Sequence, residues 1–399
     1  MKWEKIKKED NSNAEWKARR KKVLSCSRCP PNMVENRKRK SKYFSISWKD
    51  KTKRKRQYKI LNPKQKMKIL ITGASGFIGA HIIERILTTT DMEIVMLDRL
   101  DLSGTLSRVH DLPCFEKEKS RLKFVWHDLK ATINDFTAKD IGEVDYIIHM
   151  AASTHVDRAI IDPMSFVMDN VVGSMNIIEF ARKQKNLKLM LNFSTDEVFG
   201  PAAPGVYHKE GDPHNPTNIY AATKSAQEKL AQATFNTHKL PVINTHTMNC
   251  YGPGQMVEKF IPKVIRSVML GIPMPIYATV DSVSGEVKEV GSRVWIYAPH
   301  IAEAVLFLLE KASAGEDYNI IGKDEYDIVT VAQKIAKIVG KPLIPEWTGF
   351  YGARPGHDRR YALNGDKMLE MGWKPSSDFD TALEATVKWY LDNPKWLAL

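Results

Sequence analysis

Residues 72–79 (TGASGFIG) constrain this chain more than any other stretch. Gly73, Gly76 and Gly79 recur at every third position between a short apolar run, residues 68–72 (KILIT), and a segment of helical spacing, residues 77–87. Glycine is needed where a chain turns sharply out of a strand and where backbone must come close to a bound pyrophosphate. The helix that opens at Phe77 and Ile78 then presents unbonded N–H groups to phosphate oxygens. A second apolar run, residues 93–97, leads into Asp98, 19 residues beyond Gly79. A carboxylate there accepts hydrogen bonds from ribose hydroxyls and repels a 2′-phosphate, so the pattern predicts NAD rather than NADP. Arg99, the next residue, pulls in the opposite direction.

The same rhythm continues downstream. Residues 122–126, 145–150, 187–193 and 241–248 are further strand-like apolar runs, and residues 165–183 and 219–237 carry helical spacing. Buried strands alternating with helices predict an α/β fold, a Rossmann-type doubly wound parallel sheet. Past residue 250 the alternation loosens into helical stretches near 259–269, 301–311 and 329–339, separated by Pro- and Gly-rich connections. A NAD-binding domain over residues 67–250 and a smaller C-terminal α+β lobe over residues 251–399, mainly for substrate, are therefore expected.

Charge divides the chain near Met67. The net charge is +13, yet the first 66 residues hold 24 of the 60 Lys and Arg and 6 of the 47 Asp and Glu, a surplus of +18 that leaves −5 for the rest. Residues 1–66 read as a basic extension, with runs at 37–42 and 51–59, and the remainder has the balance of an ordinary enzyme. The four cysteines, Cys26, Cys29, Cys114 and Cys250, are too few for a disulfide framework, no apolar run reaches membrane-spanning length and no secretory leader is evident. A cytoplasmic protein is expected. Cys26 and Cys29 lack the second ligand pair that a closed zinc site requires, so no metal is expected.

Tyr220 and Lys224 lie four apart on a predicted helix and so share a face. A phenol is a weak base at neutral pH, but a nearby ammonium and a positive nicotinamide ring would stabilise its phenolate. Residues 194–200 (STDEVFG) close the fifth strand and place Thr195, Asp196 and Glu197 at the mouth of the sheet, where ligands bind in such folds. Two adjacent carboxylates can divide into acid and base if their surroundings push their pKa values apart.

These segments resemble the extended short-chain dehydrogenase/reductase superfamily and, within it, the dTDP-glucose 4,6-dehydratases and the related UDP-glucose 4,6-dehydratases. STDEVFG resembles their STDEVYG, residues 151–158 (AASTHVDR) their AAESHVDR, residues 249–262 (NCYGPGQMVEKFIP) their NNYGPYQFPEKLIP, and residues 354–361 (RPGHDRRY) their substrate-lobe motif. The resemblance runs from Met67 to about Asn393. It implies that Asp128 and Leu129 contact adenine, that Met150, Ala151 and Ala152 lie beside pyrophosphate and ribose, and that Thr154 and Cys250 reach the cofactor. It further implies that Thr154, Thr195, Asn249, Lys259, Phe260, Pro275, Ile276, Tyr277, Arg293, Asn319, Arg354, Pro355, Gly356 and His357 hold the nucleotide diphosphate-sugar. Asn319 has a plain reading too, as the end of a strand.

The implied chemistry is the formation of a 4-keto-6-deoxy sugar. Tyr220, aided by Thr195, deprotonates the 4-hydroxyl as hydride passes to NAD; Glu197 takes the C5 proton while Asp196 protonates the departing 6-hydroxyl; hydride then returns to C6. Cys250 stands where the family has a second Asn, and residues 278–292 exceed the family's short turn, reading as a hairpin around Ser284-Gly285. The family is usually dimeric, so a homodimer through residues 165–183 and 219–237 is expected. A 4-epimerase or UDP-glucuronate decarboxylase shares Gly73, Tyr220 and Lys224 without needing Asp196-Glu197. A nucleic-acid contact through the basic extension is a reading of another class: residues 43–60 faintly resemble a plant-type DNA-binding hairpin.

Overall fold

The computed structural model describes residues 66–101, 103–281, 284, 286–349 and 360–399. The readings on the basic extension before Lys66, on Cys26 and Cys29, and on Arg354, Pro355, Gly356 and His357 lie outside the described residues.

Apolar runs supply a seven-stranded sheet. Its strands are β1 (Lys68–Thr72), β2 (Glu93–Asp98), β3 (Leu122–Trp126), β4 (Tyr146–His149), β5 (Leu189–Thr195), β6 (Val242–Thr247) and β7 (Asp317–Ile320). They lie in the order β7-β6-β5-β4-β1-β2-β3, and every neighbouring pair is parallel. Strand order reverses beside β1, which pairs with both β2 and β4. Ligands of open parallel sheets bind at the carboxyl ends of the strands at such a switch point. The fold is therefore the doubly wound α/β fold expected from the apolar rhythm. The seventh strand comes from the segment after residue 250, where the alternation loosens and only the plain reading of Asn319 placed a strand.

Helices cover both faces of the sheet. Helix α1 (Phe77–Thr89) buries Ile82, Ile83 and Ile86 against Ile69 and Ile71 of β1, and it packs beside α5 (Ala298–Lys311), whose Ile301, Val305 and Leu308 are buried in the same core. On the other face the expected helix over residues 165–183 comes in three continuous pieces. These are Pro163–Phe166, a π-helical turn Val167–Val172, and α2 (Gly173–Lys183), whose Ile177 and Ile178 meet Leu70 and Ile147. Helix α3 (Ile219–His238) begins where the Asn218 side chain accepts the N–H of Ala221 at 2.9 Å, as an N-cap should.

A second core lies under the C-terminal lobe. Helices α4 (Phe260–Leu270), α6 (Ile328–Val339) and α7 (Phe379–Asp392) bury Ile265, Ile335 and Leu383 together. Three small sheets complete it. The strand Met274–Val280 pairs antiparallel with Val287–Val290, so the hairpin expected there exists. No helix among the described residues is long and apolar enough to cross a membrane.

Candidate active site

A cavity of about 800 Å³ opens over the carboxyl ends of β1, β4 and β5, between the sheet and the C-terminal lobe. Its floor is the glycine turn. Gly73 has φ +68°, and a Cβ there would lie 2.9 Å from the backbone N of Ala151. A Cβ on Gly79 would lie 2.5 Å from Ala74 O. No side chain caps α1 at Gly76, which leaves its first N–H groups for an anion. Bare backbone, an uncapped helix start and a cavity of this size fit a dinucleotide. The expected cofactor residues Gly73, Gly76, Phe77, Ile78, Gly79, Asp98, Arg99, Asp128, Leu129, Met150, Ala151, Ala152, Thr154 and Cys250 all line the cavity. Asp98 is 8% exposed, and its carboxylate is fixed by the N–H groups of Ser75 and Leu100, both at 2.9 Å.

The acid–base group sits at the end of β5. Thr195 caps a 3-10 turn that carries Asp196 and Glu197. Its hydroxyl donates to Asp196 Oδ1 at 3.0 Å and shares a hydrogen bond with Tyr220. Asp196 is 4% exposed, and its Oδ2 has no partner. Burial, reinforced by the charge of Glu197, pushes its carboxyl up to about 7, so it can carry a proton near neutrality. Glu197 instead accepts Asn218 Nδ2 at 3.0 Å and the Tyr361 hydroxyl at 3.5 Å. Burial, with Glu197 and Asp196 nearby, holds the Tyr220 phenol well above its ordinary range, against the pull of the Thr195 hydrogen bond.

Lys224 is buried one turn beyond Tyr220. Its Nζ donates to Phe193 O at 2.5 Å and Gln227 Oε1 at 2.6 Å. Burial lowers its ammonium to about 7, and Glu228 opposes that. Glu228 heads a second buried cluster. The Ser194 hydroxyl donates to its Oε1, while His246 Nε2 and His214 Nε2 approach its Oε2 at 3.1 and 3.3 Å. These three ligand-type groups lie within 4.8 Å of one another. Hydrogen bonds to Asn319 at 2.9 Å and Ser225 at 2.8 Å occupy the other ring nitrogens, so the cluster is satisfied without an ion.

The expected substrate residues separate. Thr154, Thr195, Asn249, Lys259 and Phe260 line the cavity with the catalytic candidates Asp196, Glu197, Tyr220 and Lys224. Arg293 stacks its guanidinium 4.8 Å from the Tyr361 ring centre, and its charge acts on Asp196. Pro275, Ile276 and Tyr277 are not on the cavity wall; they belong to a strand whose Ile276 is fully buried in the C-terminal core. Asn319 is not there either. It is fully buried on β7, where its side chain holds His246 at 2.9 Å, Asn364 O at 2.9 Å and His208 O at 3.2 Å. Its strand position explains it.

Several wall residues escaped sequence reasoning. Arg108 is 5% exposed; it donates to Ser75 O, Ser103 O and Gly254 O, and its Nη2 has no partner. Nothing around it in the sequence marks it. Asn218, which is not on the wall, was not singled out either; it both caps α3 and donates to Glu197 Oε2 at 3.0 Å. Trp295 reaches the cavity from the segment before α5.

A doubly wound sheet, a glycine cradle and a Thr-Asp-Glu, Tyr and Lys set around one cavity fit a dinucleotide-dependent enzyme of the short-chain dehydrogenase/reductase type. The chain belongs to the NAD dependent epimerase/dehydratase family, which it matches over residues 69–321. It is 34% identical to a dTDP-glucose 4,6-dehydratase of Salmonella typhimurium, over 83% of this chain and 94% of that one. It is 35% identical to a trifunctional UDP-glucose 4,6-dehydratase/UDP-4-keto-6-deoxy-D-glucose 3,5-epimerase/UDP-4-keto-L-rhamnose-reductase of Arabidopsis thaliana, over 82% of this chain and 48% of that one. Among solved structures, a dTDP-glucose 4,6-dehydratase from Bacillus anthracis in complex with NAD superposes with a TM-score of 0.72 at 30% identity, covering 83% of this chain and 98% of that one. The chain is thus an NAD-dependent, nucleotide-sugar dehydratase-like enzyme.

Proposed function

We propose that this chain converts dTDP-glucose or UDP-glucose to its 4-keto-6-deoxy product. The observation that carries the reading is the pair at the end of β5: a buried Asp196 whose free Oδ2 can hold a proton near pH 7, beside a Glu197 held by Asn218 and Tyr361. A 4-epimerase needs only the Tyr220 part of this set. Elimination across C5–C6 needs an acid and a base together.

Bound NAD would supply reversible acceptance of a hydride, from C4 first and back to C6 at the end. The chain's residues do the rest. Tyr220, with Thr195, takes the 4-hydroxyl proton. Glu197 removes the C5 proton once C4 is a ketone and gives it back to C5 when hydride reaches C6, while Asp196 protonates the leaving 6-hydroxyl, which departs as water. Lys259 has the charge for a pyrophosphate, and Phe260 and Trp295 form an apolar stretch of the wall. Both dTDP and UDP forms are candidates, because relatives of each kind stand at similar identity. A homodimer through residues 165–183 and 219–237 belongs to the same reading; Met164, beside the first of these, is 63% exposed.

Incubation of the purified chain with dTDP-glucose and, separately, UDP-glucose tests the proposal, with products read by mass and NMR. A 4-keto-6-deoxy sugar from either supports it and names the base. A C4 epimer, or no loss of water from either substrate, overturns it.

A further inference from the structure

Arg99 is the residue that argued against NAD. An arginine close to the acidic end of the second strand is where an NADP-binding chain would hold the 2′-phosphate. Here its guanidinium is fully engaged. Nη1 and Nη2 donate to the two carboxylate oxygens of Asp169 at 2.6 and 2.9 Å. Nε and Nη2 donate to Asp101 Oδ2 at 2.8 and 2.5 Å. Nη1 also reaches Asp128 Oδ1 at 3.5 Å. An arginine has five N–H donors, and these five contacts use one each.

The grip is built from separate parts of the fold. Asp101 lies in the loop after β2, Asp128 follows β3, and Asp169 comes from the π-helical turn before α2. Asp169 is 8% exposed in its side chain and is fixed in turn by the Ser153 hydroxyl at 2.6 Å. All of these residues, with Asp98, line the same cavity. Lys130 is also tied up, 3.3 Å from Asp128. Four carboxylates, Asp98, Asp101, Asp128 and Asp169, therefore face the paired cations Arg99 and Lys130, with Arg108 the third cation of this wall, held by Ser75 O and Ser103 O.

We infer that the Asp101–Asp169 clamp on Arg99 is a cofactor-selection device that excludes a 2′-phosphorylated dinucleotide. It acts in two ways. It removes the forked cation that such a phosphate would use, since a fork already matched to carboxylates gains nothing by exchanging them. It also leaves net negative charge where the phosphate would sit. A dinucleotide with a free 2′-hydroxyl can donate to these carboxylates, which suits it.

The test is cofactor binding, measured by calorimetry on the full chain stripped of nucleotide and titrated with NAD and with NADP. The wild type should prefer NAD by about a hundredfold or more, equivalent to two steps of 1.4 kcal/mol. Asp101→Asn combined with Asp169→Asn should raise NADP affinity by at least about tenfold while NAD affinity stays within about threefold. Adding Arg99→Ala to that pair should abolish the gain. Unchanged NADP affinity in a double variant that still binds NAD overturns the inference, as does a gain that persists without Arg99. If the double variant no longer binds NAD, Asp101→Asn alone decides: its side chain is 45% exposed, so it should fold, and NADP affinity must then rise by about threefold or the inference fails.

Discussion

Asp196 and Glu197 are neighbours with opposite surroundings: the Asp196 carboxyl is buried with one oxygen unpartnered, while the Glu197 carboxylate accepts hydrogen bonds from Asn218 and Tyr361. Adjacent carboxyl groups in unlike environments divide into acid and base. In the proposed reaction the acid is therefore Asp196, whose carboxyl is pushed up to about 7, and the base Glu197.

If Asp196 donates the proton, product formation should fall as pH rises through about 7, because the carboxyl loses its proton there. Asp196→Asn should lower the rate of water loss by about 10²–10⁴-fold, the usual worth of a positioned acid. C4 oxidation should persist, visible as absorbance from reduced cofactor. Glu197→Gln should show the same split. A basic limb that survives in Asp196→Asn would assign the pH dependence to another group.

The same carboxyl predicts a stability effect. Its folded pKa lies above the value of about 3.9 for a free aspartate. Between about pH 4 and 7 the folded chain then binds more protons at this site than the unfolded chain, so stability falls as pH rises through that window. Asp196→Asn removes the buried charge. The variant should melt higher than the wild type at pH 8, and the difference should vanish below about pH 4. A lower Tm for the variant at pH 8 would contradict the burial argument.

Much of this site was legible because the chemistry depends on local spacing. Gly73, Gly76 and Gly79 are readable since a strand, a turn and a helix are contiguous in the chain, and Tyr220 and Lys224 since a helix repeats every 3.6 residues. The β7 strand was legible only as the plain reading of Asn319, because it is short, comes after α5 and joins the sheet edge through tertiary pairing alone. Asp169 was unreadable for a similar reason. A π-helical turn shifts its face by one residue, and no spacing rule points its carboxylate at Arg99, 70 positions earlier. Asn319 carried two readings, a substrate contact by resemblance and the end of a strand. Its side chain is spent on His246 and two backbone carbonyls inside the protein.

Glu228 and His246 form a buried ion pair beneath the catalytic strand end. The two histidines hold the Glu228 carboxyl well below its ordinary range despite burial, and Glu228 raises His246 despite burial. The Glu228 contribution to stability is present above about pH 4 and lost as pH falls through its depressed pKa. The His246 contribution is present below about pH 6.5 and lost as pH rises through its raised pKa. Glu228→Gln leaves a buried imidazolium without its counter-ion and should cost about 3–5 kcal/mol. Thermal melts should show the largest gap from wild type between about pH 5 and 6.5, narrowing at higher pH as His246 loses its proton. A gap constant across pH would mean that packing, not the ion pair, was lost.

Gly322 lies against the backbone of Trp295. It follows β7, and a Cβ there would lie 1.7 Å from Trp295 O and 2.8 Å from Trp295 C. These are backbone atoms, so the segment bearing Trp295 must move. Trp295 lines the cavity, sits 5.9 Å from the Phe260 ring and donates its indole N–H to Tyr326 O at 3.2 Å. Gly322→Ala should therefore cost about 1–3 kcal/mol, as overpacking does, and raise the KM for nucleotide sugar by about tenfold. NAD affinity should change little, because the glycine cradle is built on β1 and α1. Gly340→Ala is the control: it has φ +76° but nothing within 4 Å of the new Cβ. It should pay only the left-handed backbone cost of about 1–2 kcal/mol, with KM unchanged. If Gly322→Ala behaves like Gly340→Ala in both readouts, the close approach at Trp295 does not shape the substrate wall.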